Sequence, residues 1–306
     1  MVVVETILQM MALVLLGLGW RWLAPGRLPV GQLRSAITEI VFYLLLPALV
    51  LRVLWRTELA LPSLGISAVA CIGTFGAMLL AILACRSCRI EPGLSGAAIL
   101  AASFGNVTYL GLPILTAVLG DWAAGVAIQY DLFASTPLLF TLGMLLASRY
   151  GHSEQQLRPL RRLAAIPALW AALLAVVLNL ADAPLPGLLE PILIQLGNGV
   201  VPLMLLAVGL SLEWRGIGRY AWGPLLMVLL VQLVMMPLVV WWASGLFGFQ
   251  GEMQLALVLE AAMPSMVLGL VICEHYKLDT AFYAAAITVS TLLSIATLPL
   301  WYFWFS

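Results

Sequence analysis

Hydrophobic runs long enough to cross a bilayer follow one another along almost the whole chain, separated by short polar connections. Ten can be marked, at roughly 3–21, 36–55, 63–84, 94–119, 123–148, 164–181, 186–211, 221–246, 253–273 and 279–303. A helix needs about 20 apolar residues to span the hydrocarbon core; each run supplies them, the sixth barely. The pattern predicts an all-α integral membrane protein of ten transmembrane helices. The first run opens V-V-V-E-T-I-L, without a basic n-region or a small-x-small cleavage site. It reads as a retained span and not as a signal peptide.

Two of the ten runs carry residues ill suited to an unbroken helix in lipid. Span 4 contains S-F-G-N-V-T-Y-L-G-L-P from Ser103 to Pro113. Gly105 and Gly111 each weaken a helix by about 1 kcal/mol relative to Ala. Asn106 brings an amide that needs partners, and Pro113 removes a backbone donor and collides with the preceding turn. Span 9 contains E-A-A-M-P-S-M-V-L-G-L, centred on Pro264. Opened backbone at membrane depth survives only where protein or a water-filled cavity satisfies it, and such broken spans build the binding sites of secondary transporters. Each break frees N–H groups at a half-helix N-terminus, which suits an anion. The plain alternative is a pair of proline kinks.

Composition agrees with the pattern: 63% of residues are hydrophobic, 9% are charged and the mean hydropathy is +1.09, where soluble domains carry about 25% charged residues. Formal net charge is zero, so the placement of basic residues matters more than their number. Twelve of the 14 fall in odd-numbered connections: Arg21, Arg27 and Arg34; Arg86 and Arg89; Arg149, Arg158, Arg161 and Arg162; Arg215 and Arg219; Lys277. Only Arg52 and Arg56 lie elsewhere. The positive-inside rule makes the odd connections cytoplasmic. Both termini are then on the outer, periplasmic side of the cell inner (plasma) membrane. The basic connection at 149–163 has five spans on each side, and an odd number of spans inverts the second half against the first. The expected organisation is therefore two inverted five-helix repeats, 1–153 and 154–306. Pro47 and Pro202, and Ser135-Thr136 and Ser290-Thr291, recur 155 residues apart; Gly111 and Gly269, and Asn106 and Pro264, recur 158 apart.

Acids inside spans are costly and need a reason. Asp131 lies eight residues into span 5 and Glu260 about as far into span 9, so at 1.5 Å per residue both are roughly 12 Å from the outer side. Matched depth points to a shared proton or sodium site, with Asn106 and Ser135 as further oxygens; separate hydroxyl or backbone partners are the alternative. Glu39 and Glu190 lie near span ends, and Arg52 can snorkel outward. Tyr109, Gln129, Asn198 and Gln232 suit helix–helix hydrogen bonding as well as substrate contact. Cys85 and Cys88 form a lone CxxC without a second pair, which reads as two reduced thiols. His152 and His275, the only histidines, lie in connections, and no hydrolase, nucleotide or metal motif is present. Neither an enzyme nor a nucleic-acid binder is expected, and no cofactor beyond a coupling proton or Na+.

F-G-N-V-T-Y-L-G-L-P at 104–113, G-D-W at 120–122 and Q-Y-D at 129–131 resemble the auxin efflux carrier family. So do A-A-M-P-S at 261–265, E-H-Y-K-L-D at 274–279 and V-S-T-L-L-S-I-A-T-L-P at 289–299, so that the likeness covers essentially the whole chain. The resemblance implies an inverted-repeat fold shared with sodium/bile-acid symporters, with scaffold and transport parts drawn from both repeats. It also implies broken crossing helices 4 and 9 and organic-anion substrates, auxin in plants and malonate or malate in bacterial relatives. Gly105, Asn106, Val107, Thr108 and Pro113 in span 4, with Pro264 and Ser265 in span 9, are the expected substrate-binding residues. Asp131, Ser135 and Glu260 are the expected coupling-ion residues. This chain has Gly105 where plant carriers tend to have Pro, and a short central connection, so auxin itself is not expected. The expected activity is secondary active transport of a small mono- or dicarboxylate by alternating access, with sodium-coupled symport as the alternative. A passive channel and an intramembrane enzyme are the rival classes. The lipid bilayer is the expected environment, and the oligomeric state is open, a homodimer included.

Overall fold

A computed structural model describes residues 2–23, 25–26, 28–56, 61–151, 164–212 and 222–305. The expected repeat boundary at 153/154 lies outside these residues, as do His152, Arg27, Arg158, Arg161, Arg162, Arg215 and Arg219.

The described chain is helical, with one isolated β-bridge as its single strand-like contact. Its helices are α1 (Val2–Leu23), α2 (Val30–Arg56), α3 (Leu61–Ser87), α4 (Pro92–Ser103), α5 (Val107–Leu119) and α6 (Ala123–Tyr150). They continue as α7 (Pro167–Leu180), α8 (Leu189–Ser211), α9 (Trp222–Leu246), α10 (Gly251–Ala261), α11 (Gly269–His275) and α12 (Thr280–Phe305). Six of them, α2, α3, α6, α8, α9 and α12, are long and apolar enough to cross a membrane. Within the sixth hydrophobic run α7 has 14 residues, and Pro167 fits its first turn.

Prolines set the local geometry of the long helices. π-helical turns at Val41–Leu45, Val107–Gly111, Asp131–Ser135 and Val231–Met235 each end two residues before a proline: Pro47, Pro113, Pro137 and Pro237. A proline cannot donate to the carbonyl four residues back and its ring pushes that carbonyl away. In each case the residue before the proline instead bonds the carbonyl five residues back, and the widened turn absorbs the misfit without ending the helix. A fifth such turn, Leu139–Gly143, has no proline behind it, and Pro299 lies in α12 without one.

The helices pack in two sets. In one, α1 lies along α8, and α2 along α7 and α8; in the other, α3 lies against α4 and α9, and α10 against α9 and α12. The α1–α8 contact is backbone to backbone. A Cβ on Gly17 would lie 2.3 Å from the Leu206 carbonyl oxygen and one on Gly209 2.0 Å from that of Val14. Such close approach between small residues is how helices associate where lipid removes the hydrophobic drive.

Candidate functional site at the two helix interruptions

The chain leaves the helix between α4 and α5, where Phe104 is extended (φ −122°, ψ 106°), and again between α10 and α11. The two interruptions meet. Gly105 and Ser265 form an antiparallel bridge, with the Asn106 N–H donating to the Pro264 carbonyl at 2.7 Å and the Met266 N–H to that of Phe104 at 2.9 Å. This is the narrow pairing, in which the facing residues do not bond each other and their Cα atoms come closest. It gives Gly105 its reason: a Cβ there would lie 3.0 Å from Gln232 Nε2 and 3.2 Å from the Met263 oxygen.

The opened peptide groups are satisfied from inside the protein, as burial demands. Gln232 Nε2 on α9 donates to the Met263 carbonyl at 2.8 Å, and the Tyr283 hydroxyl on α12 to that of Met266 at 2.8 Å. Ser265 donates its hydroxyl to the Ala101 carbonyl at 2.7 Å and its N–H to Ser290 Oγ at 3.1 Å. The Asn106 carbonyl accepts from the N–H groups of Leu110 and Gly111 at 3.1 and 3.0 Å, starting α5.

Side chains at the junction are treated unequally. Asp131, in the π turn of α6, accepts from Thr136 Oγ1 at 2.7 Å and from the Thr108 hydroxyl in the first turn of α5. Glu260, in the last turn of α10, is 0% exposed and neither carboxylate oxygen has a hydrogen-bond partner. It lies against Gly111, where a Cβ would be 2.2 Å from Oε2. Tyr130 and Asp131 are near enough to interact with it electrostatically, and the buried Tyr130 hydroxyl is also unpaired. Asn106, 1% exposed, leaves both amide atoms unpaired. Buried polar groups are nearly always bonded, and each orphan costs about 1–3 kcal/mol. Their concentration at one junction makes it the candidate site.

Two cavities approach this junction from opposite ends of the same helices. A cavity of about 920 Å³ lies at the C-terminal end of α2, with Arg52, Arg56, Thr116, Asp121, Gln129 and Asn198 in its wall. One of about 250 Å³ lies at the N-terminal end of α2, with Arg34, Glu39, Tyr109, Val267 and Leu268 in its wall. α5 and α8 contribute to both, Leu112 and Asn198 to the first, Tyr109 and Val208 to the second. Between them Leu46, Val50, Leu112 and Leu132 close around Thr108 and Asp131, leaving about 10 Å³.

The structure therefore brings together Gly105, Asn106, Pro264 and Ser265, with Val107 and Thr108 opening α5 and Glu260 beneath Gly111. Pro113 is buried behind the π turn rather than at the break. Ser135 is buried in the same turn as Asp131, but the hydroxyls that reach Asp131 belong to Thr108 and Thr136. Arg52 lines the large cavity at the C-terminal end of α2, and its Nε is buried without a partner. Gln129 bonds the Gly125 carbonyl of its own helix at 2.9 Å, and Arg56 pairs with Glu190 at 2.6 Å. Cys85 and Cys88 are free thiols, the first buried and the second exposed. The sequence gives no sign of Tyr283; Thr136 and Ser290 enter it only through the Ser-Thr repeats at 135–136 and 290–291, and Tyr130 only within the Q-Y-D stretch at 129–131.

Residues 2–302 match the family described as membrane transport protein. An uncharacterized transporter of Methanothermobacter thermautotrophicus is 32% identical over 301 residues, covering 97% of this chain and 96% of its own. An uncharacterized transporter of Methanocaldococcus jannaschii is 26% identical over 70% of this chain and 69% of its own. A Rhizobium meliloti protein named "Putative malonate transporter" is 26% identical over 87% of this chain and 85% of its own. With its apolar helices and a match from end to end, this multi-pass membrane chain belongs to the membrane transport protein family, the auxin efflux carrier type that its interrupted segments resemble.

Proposed function

We propose that the protein is a secondary active transporter of a small organic anion, a mono- or dicarboxylate, working by alternating access about the junction of the two interruptions. The observation that carries this reading is the pair of cavities at opposite ends of α2, α5 and α8, with the closed contact around Asp131 and Thr108, the latter two residues after Asn106, between them. A barrier that can open to either side of a fixed site is what alternating access requires.

In this reading the chain crosses the membrane ten times in two inverted five-span repeats, 1–153 and 154–306, with both termini outside. Packing supports it: shifting by five spans turns the α1–α8 contact into the α7–α2 contact, and both are extensive. The helix set α1, α2, α7 and α8 is the scaffold, and the set holding both interruptions is the moving part. Asn106 and the N–H groups opening α5, at Val107 and Thr108, hold the carboxylate, since the first N–H groups of a helix have no partner within it. Gly105, Pro264 and Ser265 hold the breaks open, and Pro113 sets the start of regular α5. Glu260 and Asp131 lie beside that position, and neither forms an ion pair with a described residue. An anion can approach two buried carboxyl groups only when their charge is neutralised, so a coupling proton or Na+ at Asp131, Ser135 and Glu260 accompanies it. The name of the Rhizobium relative makes malonate the first substrate to try.

Counterflow in proteoliposomes tests the reading. Purified protein should exchange external labelled malonate or malate for internal unlabelled anion, with and without Na+ compared. Asn106→Ala should lose at least tenfold of that exchange while remaining folded. Leak without counterflow would indicate a channel, and full exchange by Asn106→Ala would remove that side chain from the site.

A further inference from the structure

The large cavity holds a charge, that of Arg52, which has no part in the junction itself. Arg52 and Arg56 are the two basic residues outside the odd-numbered connections. Arg56 is neutralised by Glu190 at 2.6 Å. Arg52, one helical turn before it on α2, forms no ion pair with a described residue, and its buried Nε has no hydrogen-bond partner. The wall around it carries the neutral amides of Gln129 and Asn198 and the hydroxyl of Thr116. The other lining charge, Asp121, is exposed in the connection between α5 and α6. A guanidinium inside a spanning helix is costly and is found where it faces a partner or a pathway.

We propose that Arg52 forms an anion-binding subsite ahead of the junction, taking a carboxylate end-on through its two Nη–H donors. A guanidinium presents these two donors in a fixed fork that matches a carboxylate, and its charge persists at every physiological pH. Gln129 and Asn198, in the same cavity wall, add no opposing charge. The carboxylate held there lies on the cavity side of the constriction formed by Leu46, Val50, Leu112 and Leu132, from which Thr108 and Asp131 are next. A positive wall in a confined cavity also raises the local concentration of anions. The subsite rests on the anion-transport reading for its purpose but not for its chemistry.

A test independent of the substrate uses Val201→Cys, a position in the same cavity wall, with the native cysteines replaced. Its modification by an anionic sulfonate thiol reagent is compared with that by a cationic trimethylammonium reagent of like size. Arg52→Gln should lower the anionic-to-cationic rate ratio several-fold, and Arg52→Lys, which keeps the charge, should preserve most of it. In counterflow, Arg52→Gln should raise the half-saturating malonate concentration about tenfold or more, the loss expected for one charge-assisted pair. Arg52→Lys should fall between, because it lacks the fork. An unchanged reagent ratio in Arg52→Gln overturns the subsite whatever is transported. A reduced ratio with no malonate exchange even in the native protein leaves the subsite standing and counts against malonate transport.

Discussion

Glu260 concentrates the physical tension of the molecule at one side chain. It is fully buried, touches Gly111, and neither oxygen is hydrogen-bonded. Asp131, its electrostatic neighbour, is held by two threonine hydroxyls. A charged carboxylate without partners in a dry interior is far more costly than a neutral one, so the local structure favours Glu260 carrying a proton or a cation whenever an anion is near. Malonate exchange by the native protein should therefore depend on pH where a proton is the coupling ion. Glu260→Gln, which imitates the neutral carboxyl, should flatten that dependence or any dependence on Na+. Exchange rates across pH, with and without Na+, provide the check, and an unaltered profile in the variant would exclude Glu260 from coupling.

At the scale of elements, the interruptions depend on glycines that permit contact and on polar side chains from neighbouring helices that satisfy the opened backbone. Gly111 allows α5 to pass directly over the end of α10, because any Cβ there would meet the Glu260 carboxylate at 2.2 Å. Gly111→Ala should cost about 1–3 kcal/mol, as overpacking usually does, and lower the melting temperature of the purified protein. The same change combined with Glu260→Ala, which removes the obstructing group, should cost clearly less than the two single changes added together. Simple additivity of the melting shifts would show that the two residues do not press on each other. The π turns before Pro47, Pro113, Pro137 and Pro237 belong to the same scale: they let prolines sit inside long helices without ending them. Breaks occur instead where Gly105 and Pro264 coincide with partners such as Gln232, Ser290 and Tyr283.

For the molecule as a whole, the two cavities predict a sidedness. Thr116 lines the large cavity and Ser35 the smaller one, at opposite ends of α2. In a background lacking the exposed Cys88, Thr116→Cys should react with a membrane-impermeant maleimide applied from outside intact cells. Ser35→Cys should react only when the reagent reaches the cytoplasmic side. The distribution of arginines makes this assignment, since Arg34 belongs to the basic-rich set of connections and Arg52 and Arg56 to the basic-poor set. Labelling of both positions from one side would refute both the orientation and the opposed cavities.

Hydrophobic run length and charge fraction determined by themselves that the chain is helical and built for a membrane, because backbone groups in lipid must be bonded within each segment. The sequence also located the weak points: Gly105, Asn106 and Pro264 mark both interruptions, since glycine, proline and a buried amide are each costly in a continuous helix. What those weak points do was decided in three dimensions. Pro113 resembles a helix breaker in the sequence yet only widens a turn, because a π-helical turn absorbs its missing donor. Asp131 and Glu260 look equivalent at matched depth, yet one is bonded and the other is not, since Thr108 and Thr136 happen to reach only the first. Arg52 looks like an interfacial residue until packing places a cavity beside it. Periodicity and composition act along one chain segment at a time; the partner of a buried polar group comes from a distant segment, and only the packed helices determine which one arrives.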